Sequence, residues 1–412
     1  MKQDKLSLEQ YHDYLNKKLK ETIDHAYHNS PAIKRRMDAS GVKPSDIKTF
    51  GDLEKIPIVT RDEMVRLQAE DPPFGGFLAQ PLEEQRMVVF SPGPLYASCD
   101  WEQKLTTMLE GLEPCNIGKG DLIINAFTYH MVPLAHFLEY ACGKIGATII
   151  PTGTGNTELQ VKIMHDLGVT GYFGTARFLD TIIKKAEEMG YDFRRDFRLR
   201  FCMTAADIFP KALKQSFIKD YGIRVVDIIG TAEAGVSGTE CEYNSGWHLI
   251  KDIIVEIVDP VTKKCLGPGE IGEIVYTNFD KTFPFIRFGT GDLSRLDDTP
   301  CPCGNVTPRL MGLLGRVGEA IKLRGMFVHP RDLGGVLAKF PQLTKYQLLI
   351  DQVGGKDFAT LKVEGVYEEN ISQEIYNGFA EICRVRLDNV EFVSPGAIPA
   401  DAKIIVDQRA WK

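Results

Sequence analysis

From residue 120 onward, short apolar runs rich in valine and isoleucine alternate with stretches in which apolar positions recur every three or four residues. The runs are DLIINAF, GATIIP, GYFGTA, LRFCMTA and IRVVDIIG, and a segment such as TELQVKIMHDLG between them carries the helical period. This alternation predicts a mostly parallel sheet with helices laid over it. Thr157 and Gln160 stand at capping-box spacing, and Gly168 stands where that helix should stop.

Past Pro260 the pattern changes. PGEIGEIVYTN alternates apolar and polar positions as a half-buried strand does, and short strands and turns follow. After Arg316 the order is strands, helix and strand, in YQLLIDQ, DFATLKVEG, ISQEIYNGFAEICR and NVEFVSP. The expected fold is α/β, with a large N-terminal domain of parallel-sheet layers over 1–315 that includes a β-rich subdomain at about 236–315. A small mobile α+β domain over 316–412 completes it.

Composition removes several classes of function. The 412 residues are 43% hydrophobic and 25% charged, with a net charge of −7 and no basic run interleaved with aromatics. Nucleic acid and anionic membrane surfaces are therefore excluded as expected partners. The first twenty residues are polar, and no apolar stretch approaches the roughly 20 residues that span a bilayer. Nine cysteines with no export signal predict reduced thiols in a cytoplasmic protein.

Four motifs then occur in a fixed order: IGTAEAG (229–235), RFGTGDLSRL (287–296), GRVGEAIKLRGMFVHP (315–330) and a lysine in SPGAIPADAKIIVDQR near the C-terminus. Together they resemble the core motifs of the adenylate-forming ligases. The stretch GKIGATIIPTGTGNTELQVKIMHDLGVTGYFGTARFLDTI, with ECEYNSGWHL, CPCG and VSPGAIP, resembles the phenylacetate-CoA ligase branch. The resemblance implies a two-step reaction. A small-molecule carboxylic acid attacks the α-phosphate of ATP, releasing pyrophosphate and forming an acyl-adenylate, and the thiol of CoA then displaces AMP.

What the resemblance implies for single residues follows the chemistry of bringing anions together. Mg²⁺ and a lysine would neutralise charge at the α-phosphate, and Glu233 and Lys403 match those roles. Gly230 and Thr231 lead into the glutamate. Asp292 matches the carboxylate that accepts both ribose hydroxyls, and Arg316 matches an arginine near the ribose. Ala205, Ala206 and Asp207 occupy the segment that borders adenine. Gly318 matches the pivot of the C-terminal domain, and Lys322, Arg324 and Gly325 match the loop that lines the pantetheine tunnel. Phe127, Tyr129 and His130 fall where the acid pocket is built, so an aryl or arylacetic acid is the expected substrate.

Cys301 and Cys303, one residue apart in TPCPCGN, are too few for a zinc site, which needs four tetrahedral ligands. Cys241 and His248 in ECEYNSGWHL would complete a structural Zn²⁺ site if the two turns meet; otherwise the thiols are reduced residues on a turn and His248 is a core histidine. The other cysteines have no partner spacing. Two departures from the family bear on the first reaction step. The loop VVFSPGPLYASCDW replaces two donors with Pro92 and Pro94 and is followed by no lysine, and Ala232 stands where a hydroxyl residue precedes the glutamate. These departures predict weak hold on the pyrophosphate, slowed adenylation, and AMP bound nearly as well as ATP. They keep two alternatives open: a nucleotidyl-transferring enzyme that does not use CoA, and a ligase-like protein that binds nucleotide without adenylating. The oligomeric state is left open as well, with a homodimer as one arrangement.

Overall fold

The computed structural model describes residues 6–91, 93–207, 209–260, 262–317, 321–324, 326–328, 330–400 and 402–409. The chain divides into two compact units, Met1–Gly315 and Arg316–Lys412.

The larger unit is built on a nine-stranded sheet. The apolar runs form its parallel part, in spatial order Thr148–Ile150, Leu122–Asn125, Gly171–Gly174, Phe201–Thr204 and Arg224–Thr231. The middle strands Gly171–Gly174 and Phe201–Thr204 are buried along their whole length, which is why their side chains are apolar but for the Tyr172 hydroxyl and the closing Thr204. Helices Trp101–Leu112 and Leu134–Ile145 bury their apolar stripes in one core cluster, and helices Thr157–Leu167 and Ala176–Glu188 in another. Gly168 ends its helix at φ 62°, as the sequence indicates. The capping box does not form. Asn156 takes the cap position in a left-handed conformation, and the buried Gln160 side chain donates instead to the carbonyls of Gly153 and Gly155.

The β-rich stretch is shared between two sheets. Strands Gly235–Glu240, Trp247–Leu249, Arg309–Leu310 and Leu296–Asp297 continue the nine-stranded sheet in antiparallel fashion. Strands Ile253–Val258, Gly272–Asn278 and Phe288–Ser294 form a second sheet. That sheet takes one short strand from far upstream, Val59–Thr60, paired parallel to Phe288 and Gly289. The N-terminal helices Leu8–Asn29 and Pro31–Ala39 pack with phenylalanines 279, 283, 285 and 288 in a third cluster.

The smaller unit has a four-stranded sheet ordered Asn389–Val393, Lys356–Glu364, Lys345–Val353 and Ile405–Asp407. Its helix Glu369–Cys383 buries Ile375 and Phe379 against Leu348, Leu361 and Val363 of that sheet. No helix of the described residues is long and apolar enough to cross a membrane.

Candidate active site and metal centre

Strand Arg224–Thr231 ends at Gly230 and Thr231, and the chain turns through residues 232–234 into the antiparallel strand Gly235–Glu240. The turn is closed by the Ala234 amide, which donates to Thr231 Oγ1 at 3.0 Å. Glu233 sits at its apex, 2% exposed. Its carboxylate meets the Arg61 guanidinium at 2.6 Å, Nη1 to Oε1. Burial alone would push this carboxyl up. Arg61, with contributions from Ser91, the Glu233 amide and Thr231, outweighs that and holds it below the ordinary range. Glu233 is therefore an ionised, buried anion.

Sequence reasoning missed Arg61. It opens helix Arg61–Glu70 directly after Thr60, whose side chain caps that helix through the Glu63 amide. The segment is held by Arg287, a fully buried residue at φ 52° whose Nη1 donates to Ile56 O at 2.9 Å and whose carbonyl accepts the Val59 amide. The half-buried Glu256 carboxylate pairs with that second arginine at 3.0 Å. The pairing of Val59 and Thr60 with Phe288 and Gly289 thus fixes where Arg61 emerges. The altered loop lies against it. Strands Val89–Phe90 and Tyr96–Ala97 form a hairpin, and a Cβ added at Gly93 would come within 2.6 Å of Arg61 Nη1. A larger residue at 93 would push the Arg61 side chain aside. Pro92 lies outside the described residues.

Asp292 lies half-buried on strand Phe288–Ser294, its amide donating to Thr290 Oγ1 at 3.0 Å. The preceding Gly291 is at φ 77° and donates its amide to buried Glu273 at 3.1 Å. The Asp292 charge helps raise the pKa of Tyr276, after the larger effect of burial, so the two side chains are neighbours. Tyr276 in turn accepts a hydrogen bond from Ser237 at 2.8 Å, on the strand that follows Glu233. Ala205, Ala206 and Asp207 follow strand Phe201–Thr204. Ala205 is buried, Ala206 turns at φ 65°, and the exposed Asp207 pairs with Arg177 at 3.3 Å.

A cleft of about 460 Å³ opens between residues 128–130 and 151–154. It lies at the C-terminal ends of Leu122–Asn125 and Thr148–Ile150, beside the point where the strand order reverses between Leu122–Asn125 and Gly171–Gly174. Ligands of open α/β sheets bind outside this carboxyl edge. Tyr129 and His130 line the cleft, and Tyr129 is steadied by Asn125 at 2.9 Å. Phe127 does not line it; its ring is buried in the core cluster with Leu138 and Phe173.

Cys241, His248, Cys301 and Cys303 do converge, with their ligand atoms all within 4.8 Å of one another. Cys241 and Cys301 sulfurs are 3.8 Å apart, and Cys303 Sγ lies 3.4 Å from His248 Nε2. Two sulfurs each ~2.3 Å from zinc at a tetrahedral angle would sit about 3.8 Å apart, so the donor set fits that metal. His248 Nδ1 faces the Thr307 carbonyl at 3.2 Å, which leaves Nε2 for a metal.

In the smaller unit, Lys403 is exposed just before strand Ile405–Asp407 and its carbonyl accepts from Gln347. Arg324 is exposed and fully engaged with its own unit. It donates to the carbonyls of Arg386 and Asp357 and pairs with Asp388. Arg316 is half-buried on the two-residue strand Gly315–Arg316. Lys322 belongs to strand Ile321–Leu323, with its side chain outside the description, and Gly318 and Gly325 lie outside the described residues.

A family model for the AMP-binding enzymes matches residues 104–278. The phenylacetate-coenzyme A ligase of Escherichia coli (strain K12) is 30% identical over 362 residues, covering 84% of this chain and 80% of that protein. The phenylacetate-coenzyme A ligase of Aromatoleum evansii is 29% identical over 369 residues, covering 86% and 82%. Among solved structures, 2-hydroxyisobutyryl-CoA ligase in complex with 2-HIB-AMP and CoA superposes with a TM-score of 0.89 at 22% identity. It covers 99% of this chain and 92% of its own. At that identity the likeness is one of fold.

Proposed function

The chain belongs to the phenylacetate-coenzyme A ligase family, and from that premise we propose that it activates an aryl or arylacetic acid as the acyl-adenylate and passes it to CoA. AMP-forming acid–CoA ligation is the family's chemistry. The observation that carries the residue assignment is the ionised Glu233 at a sheet-end turn, buried and faced by one guanidinium.

Glu233 is the magnesium ligand in this reading. Mg²⁺ is held by one or two carboxylates together with substrate phosphates, and a carboxyl kept below its usual range is ready for that at neutral pH. The metal would screen the phosphate charge. Arg61 supplies the cation that the loop 91–98 lacks. It neutralises Glu233 in the ion pair, and a triphosphate would offer this guanidinium oxygens of higher charge, which would leave the Glu233 carboxylate able to hold the metal. The expected weakness on the phosphate side is thus met from another segment of the chain. Asp292 holds the ribose, with Gly230, Thr231 and 205–207 beside the nucleotide. Tyr129 and His130 face the acid across the cleft. Lys403 is the adenylation cation in this reading, and Arg316, Lys322 and Gly325 keep the nucleotide and CoA roles that the family gives them.

The Cys₃His cluster takes a structural zinc. Four protein ligands close a tetrahedral shell and leave no position for substrate.

Pyrophosphate release with a panel of aryl, arylacetic and short aliphatic acids, followed by thioester formation with CoA, tests the reading. Release that requires an aromatic acid and precedes an aryl-CoA product supports it. A preference for aliphatic acids by more than about tenfold overturns the substrate class. Release without any thioester overturns the acceptor.

A further inference from the structure

Lys104 is 2% exposed on helix Trp101–Leu112, where leucine or methionine would pack at less cost. Its ammonium donates to the Ala234 carbonyl at 2.7 Å and lies 3.5 Å from the buried Asp280 carboxylate. Asp280 is clamped as well. It accepts the amides of Asp100 at 3.1 Å, Thr282 at 2.9 Å and Phe283 at 3.0 Å. Ala234 is the residue after Glu233, and its own amide is held by Thr231 Oγ1. The peptide groups on both sides of Ala234 are therefore gripped, one by a hydroxyl of the same turn and one by a charge from a helix 130 positions upstream. Gly235, at φ 88°, leaves the space the lysine needs, since a Cβ there would stand 3.2 Å from Nζ.

A buried ion pair is a poor source of stability but a strict geometric constraint. We infer that Lys104 is a positioning residue for adenylation: braced by Asp280, it fixes the Glu233 turn through the Ala234 carbonyl, so that the carboxylate meets the magnesium nucleotide without rearranging. This rests on the reading of Glu233 as the magnesium ligand.

The test compares Lys104→Met and Lys104→Arg with the full-length enzyme, measuring pyrophosphate release against Mg²⁺ concentration, thioester formation from supplied acyl-adenylate, and thermal stability. Lys104→Met should raise the half-saturating Mg²⁺ for pyrophosphate release by about tenfold or more, while the thioester step stays within about twofold. Lys104→Arg, which can still donate to the carbonyl, should recover part of the loss. If Lys104→Met does not fold, Lys104→Met/Asp280→Asn removes the unpaired carboxylate and is read in the same way. Equal losses in both steps, or an unchanged Mg²⁺ dependence, overturn the inference. Glu233→Gln separates the two levels. If it leaves the Mg²⁺ dependence as it was, the reading of Glu233 fails and the inference with it; if it shifts that dependence and Lys104→Met does not, only the inference fails.

Discussion

Two buried clusters in the larger unit use charge in opposite ways. At Glu233 one carboxylate meets one guanidinium, and the arginine side chain keeps 18% of its surface exposed while the glutamate keeps 1%. At Cys241, His248, Cys301 and Cys303 each ligand atom faces the other three. The pair has a side from which a third group can enter; a metal held by all four members of the quartet would offer none. An open pair can exchange partners during a reaction cycle, whereas a closed shell can only hold or lose its ion. The difference predicts that damage to the quartet appears as lost stability and damage to the pair as lost chemistry.

The largest effect should come from the quartet. Cys301→Ser/Cys303→Ser should carry less than half an equivalent of zinc and lose about 4 kcal/mol of stability in denaturant unfolding, with turnover per folded molecule nearly unchanged. A full equivalent of zinc in that variant, or none in the parent, breaks the comparison. Next is Glu233→Gln, expected to lower pyrophosphate release about a hundredfold or more while thioester formation from supplied acyl-adenylate falls far less. Arg61→Met comes third. It should bring ATP affinity down toward that of AMP, a change of about tenfold seen by calorimetry at fixed Mg²⁺. An ATP-to-AMP ratio untouched by Arg61→Met would return the phosphate site to the hairpin loop.

A pH dependence sharpens the contrast through another buried carboxylate. Asp227 accepts hydrogen bonds from Thr204 and from Trp247 at 3.0 Å. Burial and the nearby Glu240 raise it to about 7. The folded protein therefore keeps this proton where the unfolded chain has lost it, so its contribution to stability declines as pH rises from about 4 to about 7 and is flat above, by at most ~1.4 kcal/mol per pH unit. Asp227→Asn should flatten that slope in denaturant titrations. Glu233 runs the other way: its carboxyl is lowered, so its contribution is present above the unfolded value and is lost as pH falls through the folded one.

The parallel strands were legible because burial on both faces demands largely apolar runs, and the meeting of Cys241, His248, Cys301 and Cys303 because three thiols and an imidazole in two turns form a recognisable ligand set. The helix stop at Gly168 was legible from conformation alone. The capping box was not, since Gln160 satisfies carbonyls of a neighbouring loop that the local pattern does not reveal. The antiparallel extension of the large sheet was equally hidden, because strands of two or three residues such as Trp247–Leu249 and Arg309–Leu310 carry too short an alternation to show their pairing. Arg61 left only the trace of a capped helix start in VTRDE. Its partner is 172 residues away, and nothing in either neighbourhood names the other.

That separation has a consequence for how the molecule comes into being. Arg61 is aimed only once Val59 and Thr60 pair with Phe288 and Gly289, so a nascent chain that has already completed its central parallel strands, and with them the turn bearing Glu233, still lacks the opposing cation. Closing so long a loop is slow compared with forming local contacts. During synthesis the carboxylate therefore meets its cation only after nearly three hundred residues have emerged.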